Sequence, residues 1–152
     1  MHHYPVLETP AAPGQLRAGA HTDFGAMTIL AMTEARGGLE ARSPDGNWTP
    51  VLPNKGELVV NLGDMIARWT DHTYVSTPHR VVGTPGTHRY SIPFFVNPDP
   101  ATVIETIDSC IRPGTTRRYQ PVTAGDFLAA RIDGVDEPYV DPTEGPARPG
   151  TP

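Results

Sequence analysis

Gly19-Ala20-His21-Thr22-Asp23-Phe24-Gly25, continued by Ala26-Met27-Thr28-Ile29-Leu30-Ala31-Met32, is the stretch on which the reading of this chain turns. Its second half is a mostly apolar run that Gly37-Gly38 brings to an end, with the length and boundaries of a buried strand. Its first half sets an imidazole and a carboxylate at positions i and i+2, which share one face of an extended chain. That pair suits a divalent iron or a similar ion. Two ligands rarely hold a catalytic metal alone, so a third is expected from another strand-like stretch.

Tyr74-Val75-Ser76-Thr77-Pro78-His79-Arg80-Val81-Val82 supplies it in His79. Two histidines and one carboxylate on one face of an octahedral ion leave three positions free, room for a chelating co-substrate and dioxygen together. A structural zinc site would instead be closed by four ligands, and the lone Cys110 argues against a cysteine-based version.

Working outward, short β-type runs and turns alternate along the chain. His2 to Val6 reads as a short strand, and Pro10, Pro13 and Gly14 mark a loop. Residues 15–23 extend toward His21 and Asp23. Leu39 to Arg42 and Trp48 to Leu52 flank Asp45-Gly46, a strong tight-turn dipeptide, and form a hairpin. Pro53-Asn54-Lys55-Gly56 is the next turn. Glu57 to Leu62 is rich in β-formers and closes at Gly63-Asp64, after which Met65 to Trp69 makes a helical turn or another strand. Residues 74–82 and 88–97 read as a second hairpin, reversed at Gly83-Thr84-Pro85-Gly86-Thr87. Such pairing would bring His79 near Arg89 and Ser91, which share a face by their own i, i+2 spacing. Val103 to Ile107 is one more strand candidate. Thr123 to Ile132 is the best helix, with Thr123 as N-cap and Asp126 three residues on, close to a capping box.

The chain has 152 residues, of which 33 are glycine (15) or proline (18), a share that fits many strands joined by turns. One domain is expected, occupying residues 1–132, with residues 133–152 as a Pro/Gly-rich, poorly ordered tail. No repeat of fixed period is apparent. The formal net charge of −5 offers no basic stripe for nucleic acid or an anionic membrane. The opening Met1-His2-His3-Tyr4-Pro5 lacks the charged-then-apolar form of a signal peptide, no apolar run has membrane-spanning length, and one cysteine cannot form an internal disulfide. A soluble, cytoplasmic protein is expected, its oligomeric state open. The fold class is all-β, a double-stranded β-helix (jelly roll) with one short C-terminal helix.

Taken in order, His21-Thr22-Asp23, Gly38-Leu39, Asp45-Gly46-Asn47-Trp48, Val59-Val60-Asn61-Leu62-Gly63-Asp64, Ser76-Thr77-Pro78-His79-Arg80-Val81 and Arg89-Tyr90-Ser91-Ile92-Pro93-Phe94-Phe95 form a pattern. It resembles the iron(II) and 2-oxoglutarate dependent oxygenases of the isopenicillin N synthase type over roughly residues 1–132. The resemblance implies that His21, Asp23 and His79 are the iron ligands. It implies too that Arg89 and Ser91 bind the distal carboxylate of 2-oxoglutarate, with Tyr4 adding a hydroxyl donor. It further implies Fe(II), 2-oxoglutarate and dioxygen as cofactor and co-substrates, and a small molecule hydroxylated or desaturated while 2-oxoglutarate is decarboxylated. His2 stands where many members have asparagine, and Asp71-His72 where a glycine is common in the second place. Family members also carry an N-terminal region that packs on this core, with no counterpart here, so a fragment, a shortened product or a minimal core is expected.

Alternatives remain. An oxidative cyclase or oxidase of the same fold would use no 2-oxo acid, and Arg89 and Ser91 would then grip the substrate's own carboxylate. A non-catalytic remnant would keep the ligands without turnover, and a zinc hydrolase would need a general base that the sequence does not place. Taken singly, His21, Asp23 and His79 are also what a hydrogen-bonded strand pair looks like, and Arg89 and Ser91 what a surface cross-strand pair looks like. Trp69, Phe94 and Phe95 read as core, Cys110 as a small buried hydrophobe, and Asp64 as satisfying a turn.

Overall fold

The computed structural model describes residues 1–6, 15–33, 38–83 and 88–134. Among these described residues there are ten strands and two α-helices. In chain order they are β1 (His2–Tyr4), β2 (Leu16–His21), β3 (Met27–Met32), β4 (Leu39–Arg42), β5 (Trp48–Pro50), β6 (Val59–Leu62) and α1 (Asp64–Trp69). Then come β7 (His79–Val82), β8 (Arg89–Val96), β9 (Val103–Ile104), a 3-10 turn over Asp108–Cys110, β10 (Val122–Thr123) and α2 (Ala124–Asp133).

Two four-stranded sheets carry the architecture, in the orders β1-β8-β3-β6 and β2-β7-β4-β5, and every strand pair in them is antiparallel. This is the jelly roll expected. Alternate residues of each strand face the space between the sheets: Thr28 and Leu30 of β3 and Arg89 and Ser91 of β8 from one side, Leu39 and Ala41 of β4 from the other. The long strand β8 tolerates Pro93 because β1 pairs only with residues 89–91, so the missing amide falls where that edge is already open.

The buried apolar cluster lies outside this space. Met65 of α1, Ala124 and Phe127 of α2, Ala26 and Ile104 form it, with Ile66, Trp69, Val122 and Leu128 packed around. The small β9-β10 ribbon and the helices thus brace one side of the sheets. Helix α2 starts as its sequence dictates: the Asp126 amide donates to Thr123 Oγ1 at 3.1 Å, and the hydroxyl donates to Asp126 Oδ2 at 2.7 Å. It ends at Gly134 in the left-handed region. Helix α1 closes with a Schellman pattern, the His72 amide donating to Ala67 O at 2.7 Å and the Asp71 amide to Arg68 O at 3.3 Å. The left-handed C′ position this requires is held by Asp71 (φ 46°) rather than by glycine, and the next residue, His72 (φ 59°), is left-handed as well. No helix among the described residues is long and apolar enough to cross a membrane.

Several expectations need correction. Residues 79–82 and 89–96 do not pair with each other: β7 lies between β2 and β4, β8 between β1 and β3, in opposite sheets. Residues 74–78 are not strand. Residues 65–69 resolve as helix, so the C-terminal helix is not the only one among the described residues. The strand foreseen over 103–107 is limited to Val103–Ile104. Phe94 and Phe95 are not core, being 65% and 58% exposed, and Cys110 is only half-buried. The tail foreseen over residues 133–152 lies, from residue 135 on, outside the described residues.

Candidate active site

His21 and His79 are direct register partners across β2 and β7, which is why residues 58 apart in sequence meet. Their ring centroids lie 4.3 Å apart. Asp23 stands two residues beyond the end of β2, on the turn into β3, rather than on an extended strand as its spacing suggested. One ligand atom from each of His21, Asp23 and His79 lies within 4.8 Å of the others. Asp23 Oδ1 is 4.0 Å from His21 Nε2 and 3.7 Å from His79 Nε2.

Neighbouring groups set the orientation of all three. His21 Nδ1 lies 2.8 Å from Gly19 O and His79 Nδ1 3.1 Å from Thr77 O. A carbonyl can only accept, so both Nδ1 atoms carry a proton, and the neutral tautomer this selects has its lone pair on Nε2. The other oxygen of Asp23, Oδ2, accepts from Thr28 Oγ1 at 2.5 Å and from Asn61 Nδ2 at 2.7 Å, which leaves Oδ1 toward the histidines. Thr28 and Asn61 were not singled out in the sequence. The available signal was a polar residue inside each of two apolar strand runs, buried where a hydroxyl or amide needs a partner.

The turn that carries Asp23 is clamped to the start of α1. The Asp64 amide donates to Asp23 O at 2.8 Å, and Thr22 Oγ1 donates to Asp64 Oδ2 at 3.2 Å. Gly63 is required here, since a Cβ would lie 2.2 Å from Gly25 O and 2.7 Å from Asp23 O. Asp64, expected to satisfy a turn, also forms a buried ion pair with Arg131 of α2. The helices therefore hold the turn that holds Asp23.

Arg89 and Ser91 are 4% and 3% exposed, and both face the same cavity as the triad, from the opposite sheet. They reach it across the intersheet space, not as cross-strand neighbours of His79. Their register partners are Tyr4 and His2 of β1, which also line the cavity. The Arg89 guanidinium lies 4.8 Å from the centroid of the Tyr4 ring, while its buried Nε and Nη1 have no hydrogen-bond partner among the described residues. A buried guanidinium with idle donors is costly unless an anion completes it. His88, next to Arg89 in sequence, is exposed and lies 3.0 Å from His3, ring nitrogen to ring nitrogen.

The cavity has a volume of about 320 Å³, with aliphatic walls from Leu30, Val51, Val59 and Val81. The donor set at one end, two imidazole Nε2 atoms and one carboxylate oxygen, fits divalent iron. The Arg89 fork, with its partnerless donors, and the Ser91 hydroxyl on the opposite sheet fit a carboxylate, so iron and a 2-oxo diacid match the residues present. Away from this site, burial and the nearby Arg118 cation lower the pKa of His72, which lies 2.5 Å from the Tyr119 hydroxyl.

Known proteins bear on this geometry. The 2-oxoglutarate-Fe(II) type oxidoreductase hxnY of Emericella nidulans is 41% identical over 110 residues, 72% of this chain and 32% of that protein. Feruloyl CoA ortho-hydroxylase 1 of Arabidopsis thaliana is 34% identical over 129 residues, 84% of this chain and 35% of that one. The crystal structure of a full-length Neurospora crassa protein in complex with alpha-KG and thymine superimposes with a TM-score of 0.78 at 38% identity, covering 88% of this chain and 43% of that one. The chain thus spans roughly a third to two fifths of the length of these relatives. Residues 1–98 match the family model of the 2OG-Fe(II) oxygenase superfamily, and on that match this chain belongs to that superfamily.

Proposed function

We propose that this chain forms the catalytic core of an iron(II) and 2-oxoglutarate dependent oxygenase that hydroxylates or desaturates a small molecule. The observation that carries the reading is the convergence of His21, Asp23 and His79 on a cavity that Ser91 and the buried Arg89, whose Nε and Nη1 lack partners among the described residues, also line from the opposite sheet. In this reading His21 Nε2, His79 Nε2 and Asp23 Oδ1 hold the iron, while Arg89, Ser91 and the Tyr4 hydroxyl hold the distal carboxylate of 2-oxoglutarate. When bound, iron and 2-oxoglutarate supply the oxidising chemistry, which couples decarboxylation to oxidation of a substrate C–H bond.

The chain's own residues do the positioning. Gly19 O and Thr77 O hold the two Nδ1–H groups and so aim each Nε2 at the site, and Thr28 and Asn61 prevent the Asp23 carboxylate from swinging away. The guanidinium of Arg89 offers a planar fork matched to a carboxylate, and the aliphatic walls keep competing water out. The Neurospora crassa protein, solved with alpha-KG and thymine, supports a small-molecule substrate class. A cytoplasmic location is part of the same reading, supported by a single cysteine that offers no internal disulfide.

Anaerobic titration with iron(II) and then 2-oxoglutarate tests it. A visible charge-transfer band that saturates with 2-oxoglutarate and is lost in Asp23→Ala is expected, followed by succinate release once substrate and air are supplied. Iron binding without that band would refute the co-substrate assignment and favour an oxidase that uses no 2-oxo acid.

A further inference from the structure

Arg17 is a second cation of the cavity, and its placement there has a specific cause. Along β2, Leu16 pairs with Val82 and Ala18 with Val81, so Arg17 is the extra residue of a β-bulge. In a regular strand, neighbours point to opposite faces, yet Arg17 and Ala18 both line the cavity. The bulge turns an arginine inward that would otherwise face solvent.

Its bonding is incomplete. Nη1 donates to Pro5 O at 3.2 Å, and the guanidinium stands 5.7 Å from the centroid of the Tyr4 ring, the same ring that Arg89 approaches. Among the described residues no carboxylate pairs with it, so most of its five N–H donors remain for a ligand. Charge balance points the same way. With Fe²⁺ bound, Asp23, Arg89 and a doubly charged 2-oxoglutarate bring the site to neutrality, and Arg17 is the one charge left over among the residues lining the cavity. A half-buried guanidinium facing aliphatic walls attracts an anion more strongly than the same group in water.

We propose that Arg17 is a specificity-determining residue that receives a carboxylate of the substrate, so that the substrate is a small carboxylic acid with an apolar body. This rests on the oxygenase reading above, because Arg89 must be occupied by 2-oxoglutarate for Arg17 to be the free cation. The Tyr4 ring lies near both guanidiniums.

The test has two stages under anaerobic conditions, with the full chain. First, iron(II) and saturating 2-oxoglutarate are added and the charge-transfer band is recorded. Second, the loaded protein is titrated by calorimetry with benzoate and 3-phenylpropionate, and separately with the matching neutral amides. The wild-type chain is expected to prefer each acid over its amide by about ten-fold or more, the scale of one charge-assisted fork. Arg17→Gln is expected to abolish that preference while leaving the 2-oxoglutarate titration within about two-fold of wild type. Arg17→Lys, which keeps the charge and the stem, covers the case in which the glutamine variant does not fold, and should retain only part of the preference.

Failure of the band at the first stage sinks the oxygenase reading, and this inference with it. A normal band with equal binding of acid and amide, with no binding of either, or with the preference intact in the variants, sinks the role of Arg17 alone. Loss of 2-oxoglutarate affinity in Arg17→Gln would instead move Arg17 to the co-substrate end and overturn the substrate assignment.

Discussion

Thr28→Val removes a hydroxyl that donates to Asp23 Oδ2 at 2.5 Å while keeping the side-chain shape at a position only 4% exposed. A hydrogen bond to a charged acceptor contributes about 1.5–3 kcal/mol. At about 1.4 kcal/mol per decade, that corresponds to roughly ten- to a hundred-fold in metal affinity if the whole effect falls on carboxylate orientation. Asn61 Nδ2 still holds Oδ2 at 2.7 Å, so the single variant should sit near the ten-fold end. The double variant with Asn61→Ala should lose more than the two single effects combined, since the carboxylate is then free to rotate. The assay is anaerobic calorimetry with iron(II), alongside thermal melting of the metal-free protein. Thr28→Ser, which restores the donor, should recover most of the affinity. If the double variant binds iron within about two-fold of wild type, the two side chains do not orient Asp23 and the argument is wrong.

Gly63→Ala should destabilise the fold by about 1–3 kcal/mol in denaturant titration, because its Cβ would press on two backbone carbonyls that cannot rotate away; an unchanged midpoint would show that the turn gives way freely. Arg89→Lys should weaken 2-oxoglutarate binding by about ten-fold in the charge-transfer titration, since the charge stays but the planar fork is lost; an unchanged half-saturation point would remove Arg89 from that role. Asp71→Gly relieves a left-handed backbone worth about 1 kcal/mol and gives up a partly exposed pairing with Arg118 that contributes less, so the melting temperature should rise by a few degrees. A lowered melting temperature would mean that the pairing dominates. His72 has its pKa depressed by burial in the folded state, so the unfolded chain takes up its proton first as pH falls. Its contribution is therefore fully present above the unfolded value of about 6.5 and diminishes as pH drops below it. His72→Gln should flatten that acid-side slope in denaturant titrations, and an unchanged slope would assign the loss to other groups.

What the sequence legibly carried was local. The Asp45-Gly46 turn and the Thr123 cap each depend on residues a few positions apart, where turn and capping chemistry act directly, whereas the nearness of His21 and Asp23 was read correctly but through a strand parity that the turn carrying Asp23 does not obey. The hairpin β4-β5 was legible for that reason, its strands meeting across a reversal made by residues 43–47. The same reasoning misjudged residues 74–97, where a glycine- and proline-containing link favours a reversal but cannot choose the strand that will be paired. The pairing of β7 with β2 and β4, and of β8 with β1 and β3, depends on which apolar faces meet across the chain.

The candidate ligand residues, and their order along the chain, were thus legible in the sequence itself. Tertiary structure alone decided that His79 meets His21 as its cross-strand partner, that Arg89 faces the triad from the opposite sheet, and that Thr28 and Asn61 converge on one oxygen of Asp23. It also decided that a bulge turns Arg17 inward. The physical reason is that parity and capping are set by neighbouring residues, whereas register, sheet assignment and the partner of a buried polar atom are set by contacts between segments that the sequence keeps far apart.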